Sequence, residues 1–250
     1  MDDPTVLGAD LRRIATDGGA DLFGVADLTP VRAFIEEQGG PFIAAFPRAV
    51  SVAMRLSPAM VEQVVDHKNA APIRSYRHYV YEVVNPDLDQ ISGALTRRLV
   101  QAGYRAYLVS ASQTVDKERL CGVFSHKLAA HLAGLGHIGK ACLLVTERYG
   151  ARVRFGTVLT DAPLPITNSL TEEERARART GCGDCNRCVE ICPVHAYAGV
   201  EFRPEDPRDV RFRAHVCDRY LEHREKTLGA RACALCVIAC DGSQWAAAGG

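Results

Sequence analysis

The apolar positions of residues 87–103 recur with the period of an α-helix. Their spacing of three and four residues brings four side chains to one helix face: Leu88, Ile91, Leu95 and Leu99. The segment ends at Gly103, as helices commonly do, and a strand-like apolar run follows it. The pattern predicts a helix over Asp87–Gly103 and a strand over Tyr104–Val109.

Shorter apolar runs predict further elements of the N-terminal part. Helical spacing is present over Val6–Ala15, whereas Asp21–Ala26 and Ala49–Met54 are short apolar runs typical of strands. Two more strand-like runs, Ala141–Thr146 and Val153–Thr160, are joined by turn-forming residues, which predicts a β-hairpin. Helices mixed with strands indicate an α+β fold, and we expect its sheet to be mixed.

The character of the chain changes after Pro163 and Pro165. Charged residues then dominate, and Thr171 with Glu174 has the form of a capping box before a short charged helix. A solvated connector of this kind is typical of a domain boundary. We therefore predict one domain over residues 1–168 and a second over residues 169–250.

The composition narrows the class of protein. Lys+Arg and Asp+Glu number 30 each and 47% of the residues are hydrophobic, so we expect a folded chain without the charge of an electrostatic nucleic-acid binder. The longest apolar stretches are far shorter than the ~18 residues that cross a bilayer. The acidic start at Met1 to Pro4 does not resemble a signal peptide. These features predict a cytoplasmic protein without membrane contact.

The ten cysteines carry the strongest functional signal, because most of them lie in two sets near the C-terminus. The first set has the C-x2-C-x2-C-x3-C-P spacing with which bacterial ferredoxins bind 4Fe-4S clusters, at Cys182, Cys185, Cys188 and Cys192. The second set consists of Cys217, Cys233, Cys236 and Cys240. In ferredoxins of this type the fourth cysteine of a run binds the neighbouring cluster. The spacing therefore predicts two clusters, one on Cys182, Cys185, Cys188 and Cys240 and the other on Cys192, Cys217, Cys233 and Cys236.

Zinc is the alternative metal, since it also takes four thiolates and often uses C-x2-C pairs. Three successive thiolates followed by an x3 step and a proline suit a cubane better than tetrahedral zinc. A loop or helix over Asp218–Thr227 must bring Cys217 back to its cluster. Cys121 and Cys142 lie outside the pattern and are expected to be small buried hydrophobes.

Outside the cysteine sets, several motifs resemble those of one enzyme family. AGLGHIGK at 133–140 and the TDAPLP stretch at 160–165 are similar to the AGLGWxGK and LxTDxPLP signatures of epoxyqueuosine reductases. The segments 47–58 and 75–91 also resemble the N-terminal domain of that family. The similarity covers most of the chain, and cysteine sets follow at similar places in the family.

The resemblance implies a nitroreductase-like mixed sheet with flanking helices that binds a corrinoid, followed by a ferredoxin-like domain with two 4Fe-4S clusters. Reductive dehalogenases share this plan. It implies a reductase that receives electrons from a ferredoxin- or flavodoxin-type donor and acts on a small molecule or modified nucleoside, with nucleic-acid binding only if the substrate is tRNA. Residues of the glycine-rich signature would contact the corrinoid: Gly134, Gly136, His137, Gly139 and Lys140.

One departure from the family concerns the proton donor. The family's aspartate after the third strand has no counterpart, because the chain there is LVSAS at 108–112. A reduction that consumes protons favours a group that titrates near neutral pH, so His126 is the first candidate. Ser125 and Tyr79 are further catalytic candidates, and the spacing leaves open whether the SYRHYVY stretch around Tyr79 is a strand or a helix.

Two other functions remain open at the level of sequence. A ferredoxin-like carrier that reduces a partner protein would need the two clusters but no catalytic pocket. A reductase on the same fold would bind a flavin in place of the corrinoid.

Overall fold

A computed structural model describes residues 3–167, 181–203 and 206–241. The chain forms two compact units, and each combines three segments of the sequence. The first unit comprises Met1–Met54, Val84–Leu135 and Arg154–Thr171. The second comprises Arg55–Val83, Gly136–Val153 and Glu172–Gly250. The predicted domains are continuous in sequence, so the division at residue 168 stays a prediction that these interleaved units do not reproduce.

The described residues contain both helices and strands, and the fold is α+β. The helices are α1 (Pro4–Asp17), α2 (Arg32–Ala44), α3 (Pro58–Glu62), α4 (Ala70–His78), α5 (Asn85–Gln101), α6 (His126–Leu132), α7 (Arg187–Glu190), α8 (Ala214–Leu228) and α9 (Leu235–Ile238). The strands are β1 (Leu22–Asp27), β2 (Arg48–Arg55), β3 (Ala106–Val109), β4 (His137–Ile138), β5 (Leu144–Val145) and β6 (Val153–Thr160). Three short 3-10 helices occupy Thr29–Val31, Gln63–Val65 and Arg208–Val210, and Tyr79–Val84 is a π-helix.

The first unit is built on a four-stranded sheet in the order β1-β2-β6-β3. Most residues of β1, β2 and β6 are buried, including consecutive ones, which explains why their sequences are apolar runs without strict alternation. Helix α1 packs against α5 and β1, while α5 also contacts β3. The pairs β1–β2 and β3–β6 are both antiparallel, so the mixed character expected of the sheet stays a prediction.

Most elements predicted for the first unit are confirmed. The helix predicted over Asp87–Gly103 is α5, and its four apolar positions 88, 91, 95 and 99 are all buried. Helix α1 and strands β1, β2 and β3 fall within a few residues of their predicted positions. Apolar runs and helical spacing in the sequence therefore locate the strands of this sheet and the helices α1 and α5. The predicted capping box at Thr171 and Glu174 lies outside the described residues.

The predicted hairpin over Ala141–Thr146 and Val153–Thr160 is wrong. Strand β5 pairs with β4, whereas β6 lies in the large sheet beside β3 and β2. Residues Gly139–Leu143 form the turn between β4 and β5, with Cys142 in the left-handed region at φ 52°. The sequence prediction failed because β4 is only two residues long and lies within the glycine-rich segment.

The second unit packs the cysteine segment around its own apolar core. The core contains Cys188, Cys192, Tyr197 and two alanines, Ala141 and Ala196. Helix α9 contacts α7 and α3, and α4 contacts α8. No helix among the described residues is both long enough and apolar enough to cross a membrane.

Candidate metal centre

Two glycines with a left-handed backbone shape the loop that carries Cys182, Cys185 and Cys188, here called the first cysteine loop. Gly181 and Gly183 flank Cys182 with φ of 61° and 53°, a region that favours glycine. The Cys185 amide donates to the Cys182 carbonyl at 3.1 Å, and α7 then begins at Arg187. These bends bring the first three cysteines of the run into one loop that continues into a short helix.

A carboxylate that the sequence pattern did not single out supports this loop. The Cys182 amide donates to Glu201 Oε1 at 2.9 Å, and a Cβ at Gly181 would collide with the same carboxylate. Glu201 lies in a non-helical, non-strand segment with no recognisable spacing from the cysteines. Sequence periodicity therefore gave no signal for it.

The second cysteine set is carried by two helices. Cys217 lies in the first turn of α8, which confirms that a helix occupies most of the long gap before Cys233. Cys233 and Cys236 flank Ala234, which adopts a left-handed conformation at φ 61° ahead of α9. The Cys240 carbonyl accepts a hydrogen bond from the Ala151 amide at 2.9 Å, which ties the end of the set to the segment after β5.

Thiols that lie close together raise each other's pKa, and these shifts indicate which cysteines are neighbours. Burial raises the pKa of Cys217 to about 11, and the nearby Cys233 and Cys192 thiols raise it further. Burial likewise raises the pKa of Cys236 to about 12, with Cys233 and Cys217 among its neighbours. Cys192, Cys217, Cys233 and Cys236 thus lie near one another, and their role as the ligand set of one cluster stays a prediction.

The pKa shifts of the thiols in the first cysteine loop likewise indicate that they are neighbours. Burial raises the pKa of Cys182 to about 11, with Cys188 as a neighbouring thiol. Burial also raises the pKa of Cys188, and Cys185 adds to this rise. Thiolates in such apolar surroundings need positive charge to be stable, which the irons of a cluster supply. This donor set therefore fits iron-sulfur clusters.

No group of three or more His, Cys, Asp or Glu side chains in the described segments is arranged to hold a metal ion. Each of the four thiolates of a cubane binds a different iron atom, so the thiols of a cluster site need not converge on one point.

Tyr197 is a second residue that the sequence pattern missed. It stacks on Phe212 with ring centroids 5.2 Å apart and hydrogen-bonds Cys236. The neighbouring Ala196 amide donates to Cys192 Sγ at 3.3 Å. Both contacts come from the loop that follows the Cys192-Pro193 pair, and both are hydrogen bonds to cysteine sulfur. An aromatic residue shortly after a C-P pair is the sequence feature that could have indicated it.

The glycine-rich segment lies partly in each unit. Gly134 follows the end of α6 with φ 72°, and the Leu135 amide donates to the Ala130 carbonyl, as in a Schellman motif. A Cβ at Gly136 would collide with the Val145 carbonyl. These two glycines are explained by a helix end and by the β4–β5 pairing.

The other three residues of the segment that are predicted to contact a corrinoid face the first cysteine loop. His137 is buried, with Nε2 3.8 Å from Cys182 Sγ. A Cβ at Gly139 would lie 3.0 Å from the same sulfur. Lys140 is buried and its Nζ donates to the Gly183 carbonyl at 2.6 Å. The structure thus brings three residues predicted to bind a cofactor against the cysteine loop.

The catalytic candidates are divided between the two units. His126 and Ser125 belong to the first unit, and Tyr79 belongs to the second. Tyr79 is the first residue of the π-helix, which answers the strand-or-helix question, and its hydroxyl accepts a hydrogen bond from the Ser57 amide at 3.0 Å. Ser125 is the N-cap of α6, where its Oγ accepts from the Leu128 amide.

His126 uses both ring nitrogens within the first unit. Its Nε2 lies 3.0 Å from the Ser110 carbonyl and its Nδ1 2.8 Å from Thr157 Oγ1. A carbonyl only accepts, so Nε2 carries the proton and Nδ1 accepts from the threonine hydroxyl. Burial lowers the pKa of His126 to about 4. The catalytic role stays a prediction, and this geometry weighs against it because both ring nitrogens are engaged in hydrogen bonds within the fold.

A carboxylate also supports the loop after β3. Asp89 of α5 accepts from the Ala111 amide at 2.8 Å and from Ser110 Oγ at 3.4 Å. This is the LVSAS stretch in which the sequence lacks an aspartate. Asp89 is a polar residue at a partly buried helix position, and periodicity alone did not indicate its contact.

Comparisons with known proteins agree with the motifs. The chain matches no protein-family model. It is similar to the epoxyqueuosine reductase of Pseudomonas aeruginosa, with 27% identity over 157 residues that cover 61% of this chain and 38% of that protein. The chain thus spans about two fifths of the length of that relative. The resemblance inferred from the glycine-rich and TDAPLP motifs is confirmed.

Two solved structures show the shared fold. A reductive dehalogenase studied for the mechanism of B12-dependent dehalogenation has a TM-score of 0.64 and 18% identity, covering 94% of this chain and 31% of that one. The epoxyqueuosine reductase from Streptococcus thermophilus has a TM-score of 0.53 and 17% identity, covering 93% of this chain and 65% of that one. The chain is therefore a sequence relative of the epoxyqueuosine reductases, on a fold shared with the reductive dehalogenases.

Proposed function

We propose that this chain is an iron-sulfur oxidoreductase that relays electrons through two 4Fe-4S clusters to a reductive reaction of the epoxyqueuosine-reductase type. The observation that carries the proposal is the gathering of all eight patterned cysteines in one compact unit, with Cys188, Cys192, Cys217 and Cys236 in or against one apolar core. The name of the curated relative supports a reductase.

The proposed clusters would be held as in ferredoxins of this type, in which the fourth cysteine of a run binds the neighbouring cluster. Cys182, Cys185 and Cys188 form one loop with Cys240 as the fourth ligand, and Cys192 joins Cys217, Cys233 and Cys236. Each cluster accepts and passes on single electrons. Cys188 and Cys192 belong to one apolar core, against which Cys217 and Cys236 pack, and this supports neighbouring positions for the two clusters. Adjacent clusters in an apolar core suit short-range electron transfer between them.

The corrinoid is proposed on similarity alone. A fold neighbour is described by B12-dependent dehalogenation, which supports a corrinoid as the electron acceptor here. Two of the residues predicted to contact it, Gly136 and Gly139, do not fit that role, because their open sides face the Val145 carbonyl and Cys182 Sγ. We therefore assign no corrinoid contact to them and no reaction step to this group.

The substrate class follows from the name of the relatives. Epoxyqueuosine is a modified nucleoside, so we propose a modified nucleoside or a comparable small molecule as the oxidant. The chain has no net charge that would favour a nucleic acid through electrostatics alone. A low-potential ferredoxin or flavodoxin would supply the electrons.

A cofactor inventory tests the proposal. Protein purified without oxygen and offered cobalamin is assayed for iron, sulfide, zinc, cobalt and flavin per chain. About eight irons with matching sulfide and about one cobalt would support the full proposal. Iron without cobalt or turnover would favour a ferredoxin-like carrier, and stoichiometric flavin would favour a flavin reductase. Zinc without sulfide would overturn the proposal.

A further inference from the structure

The Lys140 ammonium makes three hydrogen bonds to the first cysteine loop. Its Nζ lies 2.6 Å from the Gly183 carbonyl, 3.3 Å from the Cys185 carbonyl and 3.1 Å from Asn186 Oδ1. All three partners are acceptors, and a lysine has three N–H donors only when it is protonated. The geometry is therefore that of a cation whose donors are all satisfied.

The main chain at this point approaches the sulfur itself. The Lys140 amide hydrogen-bonds Cys182 Sγ. The close approach is possible because residue 139 is a glycine, since a Cβ there would lie 3.0 Å from that sulfur. One residue thus contacts the cysteine sulfur through its amide and the following loop through its side chain.

The Lys140 cation is buried, with 6% of the residue exposed. In the part of the chain that the structure describes, its Nζ forms no salt bridge with a carboxylate. Isolated buried charges are costly, so a buried ammonium requires nearby negative charge. The thiolates of the first cysteine loop supply such charge once they bind metal, and Cys182 and Cys188 both lie within electrostatic reach of Lys140.

We propose that Lys140 is the charge-compensating residue of the cluster on the first cysteine loop and raises the reduction potential of that cluster. The inference rests on the proposed iron-sulfur function. Reduction adds one negative charge to a cluster, and a fixed cation beside its ligands stabilises the reduced state. The Glu201 carboxylate beside Cys182 opposes this effect, but it is unchanged in the variants below, so replacing Lys140 isolates the contribution of the lysine. The groups that shift the pKa of Cys217 are Cys233, Cys192 and Asp218, so we expect the effect of Lys140 to be confined to the first cluster.

Two variants distinguish the charge of Lys140 from its hydrogen bonds to the first cysteine loop. Lys140→Gln keeps N–H donors but removes the charge. Asn186→Asp keeps the lysine and the acceptor oxygen but places a carboxylate 3.1 Å from the ammonium position. Lys226→Gln, at an exposed position on α8 of the same unit, is the matched control.

The measurement is an EPR-monitored potentiometric titration of both clusters, with iron counted for each preparation. We expect one of the two potentials to fall by about 59 mV or more in K140Q and N186D, a tenfold change in a one-electron equilibrium. The other potential, and both potentials of K226Q, should stay unchanged. If K140Q loses iron, N186D decides the result, because its side chain has the size of the original.

The outcomes are separable from those of the proposed function. Wild-type protein with fewer than about eight irons would contradict the two-cluster proposal itself. Wild-type protein with full iron, together with unchanged potentials in a fully loaded K140Q or N186D, would overturn the role of Lys140 and leave the two clusters standing.

Discussion

The two units use their partly buried polar groups in opposite ways. In the first unit His126, Thr157 and the Ser110 carbonyl satisfy one another, so this network is closed and neutral. In the second unit the cysteine thiols share an apolar core in which burial and neighbouring thiols both oppose ionisation. A closed network stabilises a fold, whereas clustered thiols gain their stability from a metal. Electron transfer through the clusters is therefore expected in the second unit.

The largest expected effect is the loss of iron when a cluster ligand in the second unit is replaced. Replacing Cys217 with serine removes the detached member of the second group, and we expect loss of about four of the eight irons. The matched control is Cys121→Ser, which lies outside both groups and should keep all the iron. Equal iron in C217S and wild-type protein would contradict the assignment of Cys217 as a cluster ligand.

The next effect concerns the support of the second cysteine group. Arg224 is buried and donates to the Ala232 and His67 carbonyls at 2.6 Å each. Arg224→Met would leave both carbonyls unpaired, and we expect the free energy of unfolding to fall by about 3 kcal/mol. Urea denaturation measures this change.

The control for that variant is Arg219→Met, at an exposed position on the same helix. It should change the free energy of unfolding by less than about 0.5 kcal/mol. An R224M protein as stable as R219M would show that these two hydrogen bonds contribute little.

A pH effect of similar size tests the neutral network of the first unit. Burial holds the pKa of His126 at about 4, below the ~6.5 of an unfolded chain. The unfolded state therefore binds the proton first, so stability is full above about pH 6.5 and is lost as the pH falls towards 4. The loss attributable to His126 is at most about 3 kcal/mol.

Urea denaturation between pH 7 and pH 4 measures that loss. His126→Gln should flatten the profile, while the exposed control His223→Gln should not. A catalytic His126 would instead give a turnover profile with a pKa near neutrality that disappears in H126Q, and that result would contradict the structural role.

The smallest effect concerns Ser125, which caps α6 in the first unit. Ser125→Ala should lower the free energy of unfolding by about 1 kcal/mol, because the Leu128 amide loses its acceptor. Ser125→Asp keeps an acceptor and should be close to wild type in stability and in turnover. Lost turnover in a stable S125D would indicate that the hydroxyl takes part in the reaction.

The sequence predicted features that depend on local spacing. Helix α5 followed from periodicity and the buried strands from continuous apolar runs, while the gathering of the cysteines in one unit followed from the ferredoxin spacing. Local spacing did not predict contacts between residues that lie far apart in the sequence. Strand β4 is too short to have a pattern, and the contact of Lys140 with Gly183 joins residues 43 positions apart.

The glycine-rich segment illustrates the same limit. Its motif resembled a family signature, and Gly139 and Lys140 were expected to contact a corrinoid. The structure places both against the Cys182 loop. A motif identifies which residues matter in a family, but only the packing shows which group they face.

The most direct test of the account is the iron and acid-labile sulfide content of anaerobically reconstituted protein, measured together with the EPR spectrum after reduction. Two 4Fe-4S clusters predict about eight irons and eight sulfides per chain and two reducible centres. About one zinc per four cysteines, without sulfide and without an EPR signal on reduction, would contradict it.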